Sequence, residues 1–277
     1  MNEKKKSSSI HICIANPAGN ITIFVLDRFP RSQYQTVASQ LLAIDELKGE
    51  QVAFVTGPDS LEMCGLEFCG NASRSFALMK AKKEGLQGHA VMDISVSGCS
   101  ERLKVVVDTS NNYTKIKMPL PRDVAAPDVS DIAPTDTLCS LMTGSRIVDM
   151  DGIIHVVIRD KAPTRENFDV IRDYINGKFD PPAMGVMFYD TARNVLTPVV
   201  YVKDVDTTYF EGSCGSGSTA VAAAFCQEER SGTFSFTLPQ PAGTLTATCE
   251  KADGILKAVY IEGPVQLGDV RQVEILI

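Results

Sequence analysis

Residues 10–24 alternate apolar and polar positions and break once, at Asn16-Pro17-Ala18-Gly19-Asn20, which predicts strand, turn, strand. Across 34–47 the apolar residues recur at the helical period, and 51–56 is an apolar run of strand length. A second helix is expected over 73–83, its end marked by Gly85 and Gly88. Strands are expected at 91–96, 103–107 and 113–118. The Pro-rich segment that follows (Met118-Pro119-Leu120-Pro121, then Pro127 and Pro134) reads as a border. Beyond it the pattern predicts strands at 145–150 and 153–158, a helix at 164–174, and strands at 185–189 and 196–202. A helix at 219–229 and strands at 233–238, 244–248, 255–260 and 270–276 complete the chain. Both halves run strands, helix, more strands. The expectation is an α+β protein with an internal duplication: domain 1–122, then domain 123–277, with the last strand returning to the N-terminal domain.

Each half sets a cysteine before one of these helices. Cys69 opens Cys69-Gly70-Asn71-Ala72-Ser73-Arg74, and Cys214 opens Cys214-Gly215-Ser216-Gly217-Ser218-Thr219. A helix N-terminus presents unpaired N–H groups and the positive end of the dipole, both of which favour a thiolate. Gly70 and Gly215 let a ligand approach the backbone closely, and the same amides suit a carboxylate. Small, glycine-rich neighbours are expected to leave both sulfurs exposed. Two such thiols fit one task, in which one removes a proton from a carbon and the other returns it on the opposite face. Opposed sulfurs facing a common cleft are what that chemistry requires.

The 277 residues, 44% of them hydrophobic, support a substantial core and two domains. A net charge of -7 and an isoelectric point near 5.1 argue against nucleic acid and anionic membranes as partners, though a local pocket need not share that sign. No run approaches the length of a membrane span. Met1 to Ser9 carries three lysines with no apolar core behind them, so it reads as a frayed terminus rather than an export signal. A reducing, cytoplasmic setting is therefore expected, with the eight cysteines as free thiols. Cys13, Cys139, Cys226 and Cys249 read as packing and Cys99 as a turn residue. Cys64, Cys69 and Cys99 match no tight zinc knuckle, and no Cys-x-x-Cys is present, so neither metal nor any other cofactor is expected.

These motifs resemble diaminopimelate epimerase and its relatives, the cofactor-independent amino-acid racemases. The resemblance rests on Asn16 to Asn20, Cys69-Gly70-Asn71, Cys214-Gly215-Ser216-Gly217 and Pro241-Ala242-Gly243-Thr244-Leu245, and it spans essentially the whole chain. It implies two similar domains, each a barrel-like mixed sheet around a central helix, with the site between them and a homodimer as the assembly. The departures bear on the substrate. Val205-Asp206 stands where diaminopimelate epimerases carry Glu-Arg, Ser60 to Cys64 replaces an Asn-Ala-Asp-Gly-Ser segment, and Gly185 replaces an asparagine. A second amino-acid head group has lost its partners.

Glu50-Gln51-Val52, Glu67 to Ala72, Ser97-Gly98-Cys99-Ser100, Glu211 and Ser213 to Gly217 resemble the histidine racemase branch instead. The resemblance implies racemisation of L- to D-histidine without pyridoxal phosphate, with Cys69 and Cys214 as the two bases. Asn20 and Gly70 would bind substrate, and the amides near Asn71 and at Gly215 and Ser216 would hold its carboxylate. Glu50 and Glu211 would hold the ammonium or an imidazole N–H. His155 would line the site and Phe210 would wall the side chain. The alternatives are a racemase or epimerase of diaminopimelate, proline or hydroxyproline, a phenazine-type isomerase, or an amino-acid binder without catalysis.

Overall fold

The structure, a computed structural model, describes residues 7–276. Residues 1–6 of the expected frayed terminus lie outside that range, while Ser7 to Ser9 begin a strand. The chain forms two compact units, the first ending at Lys117 and resuming at Glu262, the second running Met118–Ile261.

In the first unit β1 (Ser7–Asn16) turns through Ala18 and Gly19, both at positive φ, into β2 (Thr22–Val25). Helix α1 (Tyr34–Leu42) buries Tyr34, Val37, Ala38 and Leu41, the one-face spacing of an amphipathic helix. The expected helix to 47 stops earlier, because Ile44 is extended and a 3-10 turn follows. Strands β3 (Gln51–Gly57) and β4 (Ser60–Met63) precede α2 (Gly70–Lys83), and β5 (His89–Val96), β6 (Leu103–Asp108) and β7 (Tyr113–Met118) follow it. Tyr34 stacks on Phe54 at 3.7 Å and binds Glu62 through its hydroxyl at 2.9 Å, which fixes α1 over β3 and β4.

The second unit contains β8 (Asp123–Ala125), α3 (Thr137–Met142), β9 (Arg146–Asp149), β10 (Ile153–Arg159), α4 (Arg165–Phe179), β11 (Ala183–Asp190), β12 (Val195–Val202) and β13 (Thr207–Phe210). Helix α5 (Gly215–Phe225), β14 (Gly232–Gln240), β15 (Gly243–Ala252) and β16 (Ile255–Pro264) as far as Ile261 complete it. Helix α4 lays Phe168, Ile171 and Ile175 onto the sheet core with Val156 and Val186. Helix α5 is buried almost all round, which its Gly, Ser and Ala residues permit. Finally β17 (Gln266–Leu267) and β18 (Arg271–Leu276) pair with β1 in the first unit.

The barrel expectation is corrected. The first unit's strands run β7-β6-β5-β4-β3-β2-β1, and β1 closes on β17 and β18 rather than on β7. The six-stranded sheet of the second unit runs β13-β12-β11-β10-β9-β8 and ends on strands of four and three residues. Closure needs continuous pairing with a steady stagger, which such short ends do not provide. The sheets are mixed, with parallel pairs at β2/β3, β4/β5 and β10/β11, and are open sheets flanked by helices.

Candidate active site

Both cysteines are helix N-caps built the same way. Cys69 (φ -129, ψ 110) caps α2 and Cys214 (φ -130, ψ 116) caps α5. The Cys69 sulfur accepts the Ala72 amide at 3.4 Å, and the Cys214 sulfur accepts the Gly217 amide at 3.3 Å. Ser73 and Ser218 donate their hydroxyls back to the cysteine carbonyls at 2.7 and 2.6 Å. The two helix ends agree in dihedrals, thiol cap and serine back-bond. Each leaves its first amides without an intrahelical acceptor.

In the first unit the turn after β1, the start of β3 and the first turn of α2 form one network. Asn20 donates to Glu50 at 3.0 Å and accepts from Gln51 at 2.8 Å and from Asn71 at 3.3 Å. Gln51 reaches the Cys69 sulfur at 3.4 Å and Thr22 at 2.8 Å. Four expected residues, Asn20, Glu50, Cys69 and Asn71, thus come together, with Gly70 buried beside them. Glu50 stays exposed, and the desolvation it does feel raises its pKa against the pull of the Asn20 amide. The segment before Cys69 is held from behind. Ser97 donates to the Glu67 carbonyl at 2.8 Å, and Gly98, at φ +69, fits against Phe68 so tightly that a Cβ would lie 2.2 Å from its nitrogen.

In the second unit Cys214 lies 3.5 Å from the Ser216 hydroxyl, which lies 3.0 Å from His155 Nε2. The Glu211 carboxylate sits against the Cys214 thiol. The Cys214 amide donates to Gln240 at 2.8 Å, and Gln240 donates to Ser218 at 3.0 Å. Ala242, in the turn between β14 and β15, binds the Gly212 carbonyl at 2.9 Å, so the Pro241-Ala242-Gly243 motif steadies the approach to Cys214. His155 is fully buried, and desolvation alone lowers its pKa to about 3, so it is neutral at physiological pH. Gly185 pairs with it across β10 and β11, and a Cβ there would fall 2.6 Å from His155 Nδ1. The asparagine missing at 185 has no room beside this histidine. Phe210 is exposed.

Two expectations change. Cys214 is buried, because Gly217 lets Met187 pack against the cap, where a Cβ would meet its sulfur at 2.1 Å; Cys69 is half-buried. Neither thiol is lowered on balance. Desolvation raises Cys69 against the Ala72 amide and Gln51, and desolvation with the nearby Glu211 charge raises Cys214 well above its ordinary value. Among the described residues no cluster of three or more His, Cys, Asp or Glu side chains is arranged to hold a metal ion. No described helix is long and apolar enough to cross a membrane.

The family model described as the histidine racemase CntK N-terminal domain matches residues 9–270. The chain belongs to that family. The racemase is accordingly an amino-acid isomerase of the diaminopimelate-epimerase-like superfamily that works without pyridoxal phosphate. It is similar to the histidine racemase of Fusobacterium nucleatum subsp. nucleatum, at 31% identity over 261 residues, covering 91% of this chain and 92% of the relative. The histidine racemase of Staphylococcus aureus is 25% identical over 261 residues, covering 90% and 92%. Among solved structures, a predicted epimerase from Pseudomonas aeruginosa gives a TM-score of 0.66 at 14% identity, covering 96% of the racemase and 99% of that chain. A hydroxyproline epimerase from Agrobacterium vitis with bound trans-4-hydroxy-L-proline gives 0.62 at 11% identity, covering 96% and 92%. At those identities the two structures speak for the fold.

Sequence reasoning passed over Gln51, Arg74 and Gln240. Gln51 carries a visible signal, since it follows Glu50 at the first position of a strand. Arg74 and Gln240 carry none, because a lone arginine in a helix and a glutamine at a turn ordinarily read as solvated.

Proposed function

We propose that this racemase interconverts L- and D-histidine by a two-base mechanism in which Cys69 and Cys214 exchange roles. The observation that carries the two-base part is the matched pair of thiol-capped helix ends. The choice of histidine rests on the relatives of that name and on Gly185, which leaves no side chain to recognise a second amino-acid head group.

In this reading the substrate carboxylate lies on the helix-end amides near Asn71 and at Gly215 and Ser216, where hydrogen bonds strengthen as Cα–H breaks and charge moves into the carboxylate. Glu211 and Glu50 bind the ammonium. One sulfur, as thiolate, takes the Cα proton, and the electron pair is delocalised into the carboxylate. The other sulfur, as thiol, delivers its proton to the opposite face and becomes the thiolate. The ammonium held by Glu211 cancels part of the charge that raises Cys214, so substrate binding readies that thiol for proton transfer. Neutral His155 orients Ser216 toward Cys214.

The test is incubation of purified protein with single enantiomers of the common amino acids, read by chiral chromatography, with solvent deuterium followed at Cα. Histidine should racemise fastest, label should enter the enantiomer formed, and Cys69→Ala and Cys214→Ala should each abolish racemisation. Full turnover in either variant refutes the two-base scheme, and faster turnover of another amino acid refutes the substrate.

A further inference from the structure

Arg74 is the largest fully buried side chain in the protein, at 0% exposure. It lies near the start of α2, inside the first unit. Its Nη1 donates to Thr114 at 3.2 Å and to the carbonyls of Gly263 and Pro264 at 2.9 and 3.3 Å, and these contacts hold the guanidinium in place. Its Nε donates to the Asn71 side-chain oxygen at 3.1 Å. None of these acceptors is a carboxylate, and a buried cation among neutral groups is a costly way to fill space. What a guanidinium offers here is polarity, since it carries N–H donors and no acceptor.

Asn71 passes that polarity on. A carboxamide has a donor end and an acceptor end, and its partners decide which atom lies where. With its oxygen on Arg74, Asn71 has its NH2 left for Asn20, whose oxygen it meets at 3.3 Å. Gln51 donates to the same oxygen at 2.8 Å. Asn20 then turns its own NH2 to the Glu50 carboxylate, at 3.0 Å. Both ends of this chain are unambiguous, because a guanidinium only donates and an ionised carboxylate only accepts. Reversing both asparagines would set donor against donor at Arg74 and acceptor against acceptor at Glu50. Arg74 and Asn71 are buried while Glu50 is exposed, so the direction is imposed from the interior outward.

We infer that Arg74 is a positioning residue that fixes the direction of this relay, Arg74 to Asn71 to Asn20 to Glu50, and so keeps an amide N–H, never an amide oxygen, against the Glu50 carboxylate. This rests on the reading above in which Glu50 binds the substrate ammonium, and it says how that carboxylate is kept ionised and aimed. Burial works against the ionised form of Glu50, and the Asn20 N–H opposes it. Without the guanidinium, Asn71 and Asn20 are free to turn together. The Asn20 oxygen then faces Glu50, which loses its donor and takes up a proton at higher pH. A neutral amide in place of Arg74 would turn with the relay and set no direction.

The experiment titrates Glu50 by NMR in protein isotope-labelled at its glutamate carboxyls and asparagine side-chain amides, with Glu50→Gln and Asn20→Ser used to assign the resonances. No substrate is present. In wild type the Asn20 side-chain amide should shift with the Glu50 carboxyl and report the same midpoint. Arg74→Gln should raise the Glu50 midpoint by roughly one pH unit, a roughly tenfold gain in proton affinity, and uncouple the Asn20 amide from it. Arg74→Lys, still a pure donor, should hold the wild-type midpoint. An arginine that only fills space would lower the urea midpoint of Arg74→Gln and leave the Glu50 titration where it was. That result overturns the inference, as does a wild-type Asn20 amide that ignores the Glu50 titration. Should Arg74→Gln not fold, Asn71→Asp decides. Its carboxylate oxygens satisfy Arg74 but make Asn20 turn round, so the Asn20 amide should stop following Glu50, and an amide that still follows it overturns the inference. The expected titrations in a protein that does not racemise histidine refute the substrate reading alone, and an active racemase in which Arg74→Gln leaves Glu50 unmoved refutes the role of Arg74 alone.

Discussion

Replacing Gly98 by alanine tests whether the loop behind Cys69 is a rigid support. Gly98 has φ +69, and an added Cβ would stand 2.2 Å from Phe68 N, 2.6 Å from Glu67 C and 2.9 Å from Phe68 Cα. All three are backbone atoms of the segment that leads into Cys69, so no side chain can swing aside. Gly88 supplies the control. Its φ is +71, and a Cβ there meets nothing within 4 Å. Gly88→Ala therefore reports the dihedral cost alone, about 1–2 kcal/mol. Gly98→Ala carries the same cost plus overpacking, about 1–3 kcal/mol more. The closest contact is roughly 1 Å short of ordinary separation, and a displacement of that size at a reacting group costs roughly a hundredfold in rate. Urea unfolding gives the stability of each variant and chiral chromatography the turnover. Gly98→Ala should unfold at lower urea than Gly88→Ala and lose about two orders of magnitude in kcat, while Gly88→Ala keeps wild-type kcat. Equal midpoints and equal rates for the two variants would refute the reasoning.

Gly185→Ala should push His155 off Ser216, since its Cβ would lie 2.6 Å from Nδ1; kcat should fall roughly tenfold or more, and an unchanged kcat would show that the His155–Ser216 contact is dispensable. His155 should also shape acid stability. Its pKa is depressed on folding from 6.5 to about 3, so the unfolded chain binds the extra proton, and stability present above pH 6.5 is lost as pH falls toward 3. The loss is about 2 kcal/mol by pH 5, and His155→Gln should flatten that part of the urea-midpoint profile; a variant with the wild-type slope would place the acid sensitivity elsewhere.

The long elements were legible because their periodicity was. Val91 to Val96, Leu103 to Val107 and Tyr113 to Met118 lie inside or on the observed β5, β6 and β7. The two central helices begin three and four residues before their expected starts, at Gly70 and Gly215, because the cap is a thiol and the first turn is glycine-rich, neither of which signals a helix by propensity. Strands β4, β8 and β13 went unseen because three or four residues, partly polar, do not establish alternation. Helix α3 is six residues behind an Asp136 cap, too short for a helical period to show. The grouping of Asn20, Glu50, Asn71 and Cys69 followed from the resemblance of their motifs to those of the racemase family. The burial of Cys214 did not, because it depends on Met187, a residue from a different strand. Gln51 and Arg74 matter through neighbours as far away in sequence as Thr22 and Pro264, which no local window contains.

Unit one is assembled from segments that leave the ribosome at very different times. Residues 7–12 wait for 271–276 as their sheet partner, and the guanidinium of Arg74 waits for the carbonyls of Gly263 and Pro264. During synthesis the Met118–Ile261 portion can gather its own core first. The nascent chain therefore carries an unfinished Cys69 region, with an unsheltered arginine, until residue 276 has emerged. Stalled or clipped products ending before residue 262 should keep a folded Cys214 portion and never mature the other one.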